Sequence, residues 1–279
     1  MTTMEEKPVQ TASRLRAESV TLGYPGNIVA RSLTVSLPDD AFTAIVGPNA
    51  CGKSTLLKAL ARVTGTQQGS VYLDGRAISS YGAKEVARRL GLLAQSATAP
   101  EGITVGDLVA RGRYPHQTML RQWSDADERA VNAALAQTGV TDLAARFVDE
   151  LSGGQRQRVW LAMALAQETS ILLLDEPTTF LDLGHQYEIL DLCARLHAGG
   201  RTIAAVLHDL NQAARYATHV IALAADGTIA AEGPPEEVIT AELVDGLFGL
   251  PCRIIPDPET GTPMVVPRSR NTVPAAHYS

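Results

Sequence analysis

Gly47-Pro48-Asn49-Ala50-Cys51-Gly52-Lys53-Ser54-Thr55 lies between two patterns of opposite character. Before it, Phe42-Thr43-Ala44-Ile45-Val46 is a short apolar run that reads as a buried strand; after it, Leu56-Leu57-Lys58-Ala59-Leu60 reads as a helix. A strand, a loop with the spacing G-x-x-x-x-G-K-S and a helix are the parts of a phosphate-binding loop. Glycines let the backbone curl so that its N–H groups surround anionic oxygens. The helix points its positive end at the same place. Lys53 brings a compact charge to the outer phosphates, and the Ser54 hydroxyl suits a magnesium ion. The loop implies a nucleoside triphosphate but does not say what its energy is used for.

The wider composition narrows the choices. The 279 residues are 45% hydrophobic and 19% charged, enough to bury a sizeable core. A net charge of −6 does not favour a broad nucleic-acid footprint. The three cysteines, Cys51, Cys193 and Cys252, make neither a disulfide framework nor a C-x-x-C metal site, and a reducing setting fits them best. Met1 to Arg16 is polar, without the apolar core of a signal peptide. The longest apolar stretch, around Val159 to Ala166, is far short of the ~20 residues that span a bilayer. Any membrane role is therefore expected to need partner chains.

In chain order, residues 1–14 read as a flexible leader. Ser19–Leu22 and Ser32–Leu37 read as strands around a turn at Gly23–Asn27, and Val71-Tyr72-Leu73 with Asp74-Gly75 is a hairpin signal. Leu90 to Ala94 is another apolar run, ending in Gln95. Residues 98–150 are rich in helical patterns, among them Thr104–Gly112 and a segment capped by Ser124, and read as a helical subdomain inserted in the sheet domain. Val159, Ala162, Met163 and Ala166 share one helix face, as do Ile189, Leu192, Cys193 and Leu196, which makes Cys193 a core residue. Ile171–Leu174, Thr202–Leu207 and Val220–Leu223 read as buried strands. Alternation of this kind predicts an α/β fold with a mostly parallel sheet, an N-terminal antiparallel β portion and one large domain over 15–250. Residues 251–279 are expected to form a C-terminal hairpin and a mobile tail.

Two further motifs carry chemistry. Ile171-Leu172-Leu173-Leu174 ends in Asp175 and Glu176, and ligands gather at the carboxyl ends of parallel strands. Asp175 suits magnesium, and Glu176 suits a general base or water-positioning role. Leu151-Ser152-Gly153-Gly154-Gln155 opens a helix with a good N-cap, Ser152, and two glycines that allow close backbone approach, a second anion site.

GPNACGKST, LSGGQ and ILLLDE, in this order, resemble the nucleotide-binding subunit of ATP-binding-cassette transporters, over residues 15 to 250. The resemblance implies a P-loop ATPase that uses ATP and Mg2+ and pairs head to tail with a second copy. The loop residues Gly47, Pro48, Asn49, Ala50, Cys51, Gly52, Lys53, Ser54 and Thr55 of one copy would then face Ser152, Gly153, Gly154 and Gln155 of the other across each ATP. It further implies that Tyr24 stacks on adenine, that Gln95 senses magnesium and the attacking water, and that Asp182 crosses the dimer interface. His208 resembles the switch histidine that contacts the γ-phosphate and holds Glu176. Thr179 stands where the family usually has Ser, and keeps the hydroxyl. His116, His185, His197, His219 and His277 have no metal spacing and read as surface or structural. Alkylation of Cys51 is expected to block ATP binding.

Separate membrane permease subunits, the usual arrangement of importers, follow from the absence of a spanning stretch. Val109-Ala110-Arg111-Gly112-Arg113-Tyr114-Pro115-His116 resembles a segment of ferric siderophore import ATPases, with haem and cobalamin importers as relatives, and Cys252–Asp257 with Gly261-Thr262-Pro263 points the same way. These imply an indirect partnership with a substrate-binding protein and a place on the cytoplasmic face of the membrane, with no nucleic acid involved. A soluble cassette acting on ribosomes or DNA is the alternative from another class; neither a second LSGGQ nor a sustained heptad pattern supports it.

Overall fold

In chain order the strands and helices begin with β1 (Leu15–Tyr24), β2 (Asn27–Leu37), β3 (Phe42–Val46), α1 (Lys53–Leu60), β4 (Gln68–Leu73), β5 (Arg76–Ala77), α2 (Ala83–Ala87) and β6 (Leu90–Leu93). A helical stretch follows, with α3 (Val105–Ala110), a 3-10 turn at Arg111–His116, α4 (Asp125–Gln137) and α5 (Gly153–Leu165). The remainder is β7 (Ile171–Asp175), α6 (Leu183–Ala198), β8 (Thr202–Val206), α7 (Leu210–Tyr216), β9 (His219–Leu223), β10 (Ile229–Gly233), α8 (Pro235–Val238), α9 (Ala241–Phe248), β11 (Cys252–Pro256) and β12 (Pro263–Pro267). This computed structural model describes residues 13–24, 26–95, 98–118, 123–179 and 181–269, without the side chain of Tyr24. Most of the expected leader and the end of the expected tail lie outside the described residues.

One sheet has the order β2-β1-β4-β5 and is antiparallel. The other has the order β10-β9-β3-β8-β7-β6. Its strands β9, β3, β8, β7 and β6 run parallel, and β10 closes one edge antiparallel. The central strands are buried on both faces, which is why they read as continuous apolar runs. Their residues alternate between two cores. Phe42, Ala44, Leu172, Leu174, Ile203 and Ala205 pack with α3 to α7 on one side. Ile45, Ile171, Leu173, Ala204 and Val206 pack with α1 and the antiparallel sheet on the other.

The structure corrects several element boundaries. β1 and β2 run longer than the pieces seen in the sequence. The helix after the phosphate loop starts at Lys53, inside the motif. α3 is shorter than Thr104–Gly112: Thr104 is its N-cap, and its end tightens into the 3-10 turn that contains Pro115. β10 was not anticipated, because Ile229-Ala230-Ala231-Glu232-Gly233 is too short and too polar to stand out.

Arg113 ties the helical stretch together. It is 4% exposed; its Nε donates to Asp127 Oδ1 at 2.9 Å, and Nη1 donates to the Ala166 carbonyl and Glu168, each at 2.7 Å. This holds the 3-10 turn against α4 and the end of α5. Beside it, Gly112 permits close packing: a Cβ there would sit 2.2 Å from the Met163 carbonyl oxygen. The C-terminal hairpin β11–β12 lies on α7, where Asn211 accepts from the Val265 N–H at 2.7 Å and Arg215 pairs with Asp257 at 3.6 Å.

Gly112→Ala is expected to lower stability by about 1–3 kcal/mol, because the obstacle is backbone and cannot swing away. Gly246→Ala, at an exposed position in α9 with no atom near the added methyl, is expected to raise it by about 0.5–1 kcal/mol. Urea unfolding of both variants checks the pair.

Candidate active site

The phosphate loop leaves the end of β3 with Gly47 at φ +150° and reaches α1 through Gly52 at φ +100°. At Gly47 a Cβ would lie 2.4 Å from the Leu223 carbonyl oxygen, so a side chain is excluded there. Ala50, at φ 63°, also takes the left-handed conformation. No side chain caps the start of α1 among the described residues, so its first N–H groups face the loop. Lys53 is 5% exposed; its Nζ donates to the Gly47 carbonyl at 2.9 Å and the Pro48 carbonyl at 2.7 Å, which holds the ammonium at the loop. Cys51 is 1% exposed and its side chain belongs to the core beneath the loop. Ready alkylation is therefore not expected, a point on reactivity that the sequence left open. Cys193 is fully buried, and desolvation pushes its thiol up to about 12, so it is inert.

Asp175 ends β7 with its side chain fully buried. Among the described residues neither carboxylate oxygen makes a hydrogen bond of good geometry, and Lys58 Nζ lies 3.8 Å away. Burial raises its pKa, opposed chiefly by the Ser54 hydroxyl and then by Lys58. A buried acid with two open oxygens beside a hydroxyl fits a hard divalent cation such as magnesium.

Glu176 follows at once, with φ 53°, an uncommon conformation for a residue with a side chain. Its carboxylate is engaged on both oxygens. His208 Nε2 lies 2.8 Å from Oε1; Gln95 Nε2 donates to Oε2 at 2.6 Å, and Thr179 Oγ1 donates to the same oxygen at 3.0 Å. Gln95 comes two residues after β6, Glu176 one after β7 and His208 two after β8. Adjacent parallel strands thus deliver three side chains to one point. His208 precedes Asp209, whose carboxylate accepts the N–H groups of Asn211 and Gln212 and so caps α7.

Ser152 and Gln155 form a capping box at the start of α5: Ser152 Oγ accepts the Gln155 N–H at 3.3 Å, and Gln155 Oε1 accepts the Ser152 N–H at 3.1 Å. No hydrogen bond joins this helix start to the phosphate loop among the described residues. Gly154 instead faces the His185 ring, which a Cβ would meet at 3.1 Å. Asp182 caps α6 through the His185 N–H at 3.0 Å and also contacts the ring Nδ1 at 2.7 Å; these contacts hold its carboxyl below the ordinary range. His185, read from sequence as surface or structural, is thus the link between Asp182 and the signature glycines. The contacts of Thr179 and Gln157 around Glu176 were not anticipated from the sequence. The first could have been found from its i+3 spacing to Glu176, whereas the contact of Gln157 Nε2 with the Pro177 carbonyl at 3.0 Å joins two elements and has no local signal.

These parts define a class. The family model described as ABC transporter matches residues 30–179. The chain belongs to the ABC transporter family and is an ATP-binding ATPase of it. It is 57% identical to the ferric enterobactin transport ATP-binding protein FepC of Escherichia coli (strain K12), over 96% of this chain and 99% of that protein. It is 52% identical to the probable siderophore transport system ATP-binding protein YusV of Bacillus subtilis (strain 168), over 92% of this chain and 94% of that one. Among solved structures, it superposes with a TM-score of 0.79 and 29% identity on a transporter assigned to the metal-chelate type, in an inward-facing conformation, covering 92% of this chain and 98% of that one. A dimeric structure of the bacterial cassette MJ0796 gives a TM-score of 0.70 at 25% identity, covering 79% and 98%.

The Asp175 carboxyl titrates above its unfolded value, so between the two values the folded state holds more protons, and stability falls as pH rises through that window. Asp175→Asn removes the buried charge. It is expected to raise thermal stability near neutral pH by on the order of 1 kcal/mol, a gain that shrinks towards pH 4. Thermal melts of both proteins across pH, without nucleotide or divalent ion, check this; adding magnesium and ATP should then stabilise the wild type more than the variant.

Proposed function

We propose that this chain is the ATP-hydrolysing subunit that energises import of ferric siderophores through separate membrane permease subunits. The observation that carries the hydrolytic half is the Glu176 carboxylate, held on both oxygens by side chains from two neighbouring strand ends and from its own turn. The cargo half rests on near full-length likeness to transport ATP-binding proteins named for ferric enterobactin and for a siderophore transport system.

In this reading, the loop amides and Lys53 bind the phosphates of ATP, and Tyr24 stacks on the base. Ser54 and Asp175 hold a magnesium ion, with Gln95 reaching towards it. Bound there, the ion would neutralise charge on the phosphate oxygens. Glu176 accepts a proton from water as the water oxygen attacks the γ-phosphorus and ADP leaves with the electrons of the broken bond. His208 keeps the carboxylate in place and Gln95 orients the water.

A second copy completes each site. Its Ser152, Gly153, Gly154 and Gln155 would face the γ-phosphate, and the exposed Asp182 would cross between copies; the separation of this helix start from the phosphate loop within one chain supports that arrangement. Closure by ATP and reopening after hydrolysis would be passed through the helical stretch to two permease subunits at the cytoplasmic face, which receive cargo from a binding protein. The drive can be no larger than the difference in ATP affinity between the closed and open states. Among the described residues no helix is long and apolar enough to cross a membrane, which is compatible with a pore formed by other chains.

Glu176→Gln is expected to lose about 10²–10⁴-fold in turnover while still binding ATP; near-normal hydrolysis would remove Glu176 from its assigned role. In cells lacking the gene, uptake of radioactive iron from several siderophores should fall and return with the wild type but not with Glu176→Gln. A loss confined to haem or cobalamin uptake would keep the ATPase role and overturn the siderophore assignment.

A further inference from the structure

Glu176 stands in a conformation that its neighbours must enforce. A non-glycine residue at φ 53° persists only where the surroundings over-determine it, and here the next residue is Pro177, which further restricts the residue before it. Glu176-Pro177-Thr178-Thr179 forms a tight turn in which the Thr179 N–H donates to the Glu176 carbonyl at 3.2 Å. The Thr179 hydroxyl then reaches back to Glu176 Oε2 at 3.0 Å. From the other side, Gln157 on α5 donates its Nε2 hydrogen to the Pro177 carbonyl at 3.0 Å. The turn is therefore pinned both by its own threonine and by the helix that begins with Ser152.

The three donors on the carboxylate are not equivalent. Gln95 and His208 arrive from other strands, and Gln95 has a second task, orienting the water, in the reading above. Thr179 belongs to the same four-residue turn as Glu176 and moves with it. Its hydroxyl is the donor that can stay on Oε2 while Gln95 turns to the water.

We propose that Thr179 is a positioning residue for hydrolysis: its hydroxyl holds the Glu176 carboxylate in the attacking geometry, and Gln157 fixes the turn from the signature helix. α5 then sets the geometry of the general base within one chain as well as presenting Ser152–Gln155 to the partner copy. The proposal rests on the assignment of Glu176 as the base, so the experiment separates the two.

Steady-state ATPase kinetics and ATP affinity are measured on the full-length chain with magnesium and ATP, for the wild type, Thr179→Val, Thr179→Ser, Gln157→Leu and Glu176→Gln. Valine keeps the shape of threonine and removes only the hydroxyl's hydrogen bond. Loss of a hydrogen bond to a charged group is expected to lower kcat about 10-fold in Thr179→Val, with KM and ATP affinity unchanged. Thr179→Ser should restore most of the lost kcat. Gln157→Leu should lower kcat in the same way, and it carries the test if Thr179→Val does not fold. A merely structural role would instead lower the melting temperature, or change KM and kcat together, without rescue by serine.

A kcat within about twofold of wild type in Thr179→Val, or a Thr179→Ser protein as impaired as Thr179→Val, overturns the proposal. If Thr179→Val cannot be folded, normal kcat in Gln157→Leu overturns it. If Glu176→Gln is inactive while Thr179→Val is normal, only the positioning role falls. If Glu176→Gln itself turns over normally, the base assignment falls and the Thr179 proposal falls with it.

Discussion

The parallel pairing of β7 between β6 and β8 is the constraint on which the site depends. Leu93 sits opposite Leu174, and Asp175 opposite Val206, so the three strands end at one level. Gln95, Glu176 and His208 each follow within two residues and converge on one carboxylate. β3 lies on the far side of β8 and delivers the phosphate loop to the same edge. A one-residue slip in any pairing would turn that strand's side chains to the opposite core and carry its functional residue away from the others.

Within this frame the polar groups are treated in two ways. Glu176 has both oxygens satisfied, although its backbone is in an uncommon conformation. Asp175, one residue earlier, is fully buried with neither oxygen hydrogen-bonded. A buried carboxylate compensated only by Ser54 and Lys58 still costs stability, and such a cost is tolerated at functional sites. In the proposed function, the contrast separates a group that would hold a cation from one that would take a proton.

The periphery is tied to the centre by specific contacts. Arg113 joins the 3-10 turn to α4 and α5, and α5 reaches the Glu176 turn through Gln157. On the other side, α7 begins at Asp209, next to His208; Gln212 on α7 bonds Gln186 on α6 at 2.7 Å, and Gln186 bonds the Leu181 carbonyl at 3.0 Å. The C-terminal hairpin braces the same α7 through Asn211 and Arg215. The residues flanking Glu176 and those leading to Asp182 are therefore mechanically connected through α5, α6 and α7.

What the sequence determined by itself was the set of local decisions. Gly47 and Gly52 mark a backbone curl, Ile171–Leu174 a strand buried on both faces, Ser152 with Gln155 a helix start, and Cys193 a core position, because each depends on neighbours within about a turn or a strand. The spacing of Thr179 from Glu176 was legible in the same way. Only the tertiary structure decided which strand ends meet, that His208 and Gln95 share the Glu176 carboxylate, that Asp175 is buried beside Lys58, that Gln157 reaches Pro177 and that His185 sits against Gly154. Only it placed the thiol of Cys51 beneath the loop, out of reach of ready alkylation. Those facts come from pairings between residues far apart in the chain, and local periodicity, propensity and spacing carry no information about strand order or register.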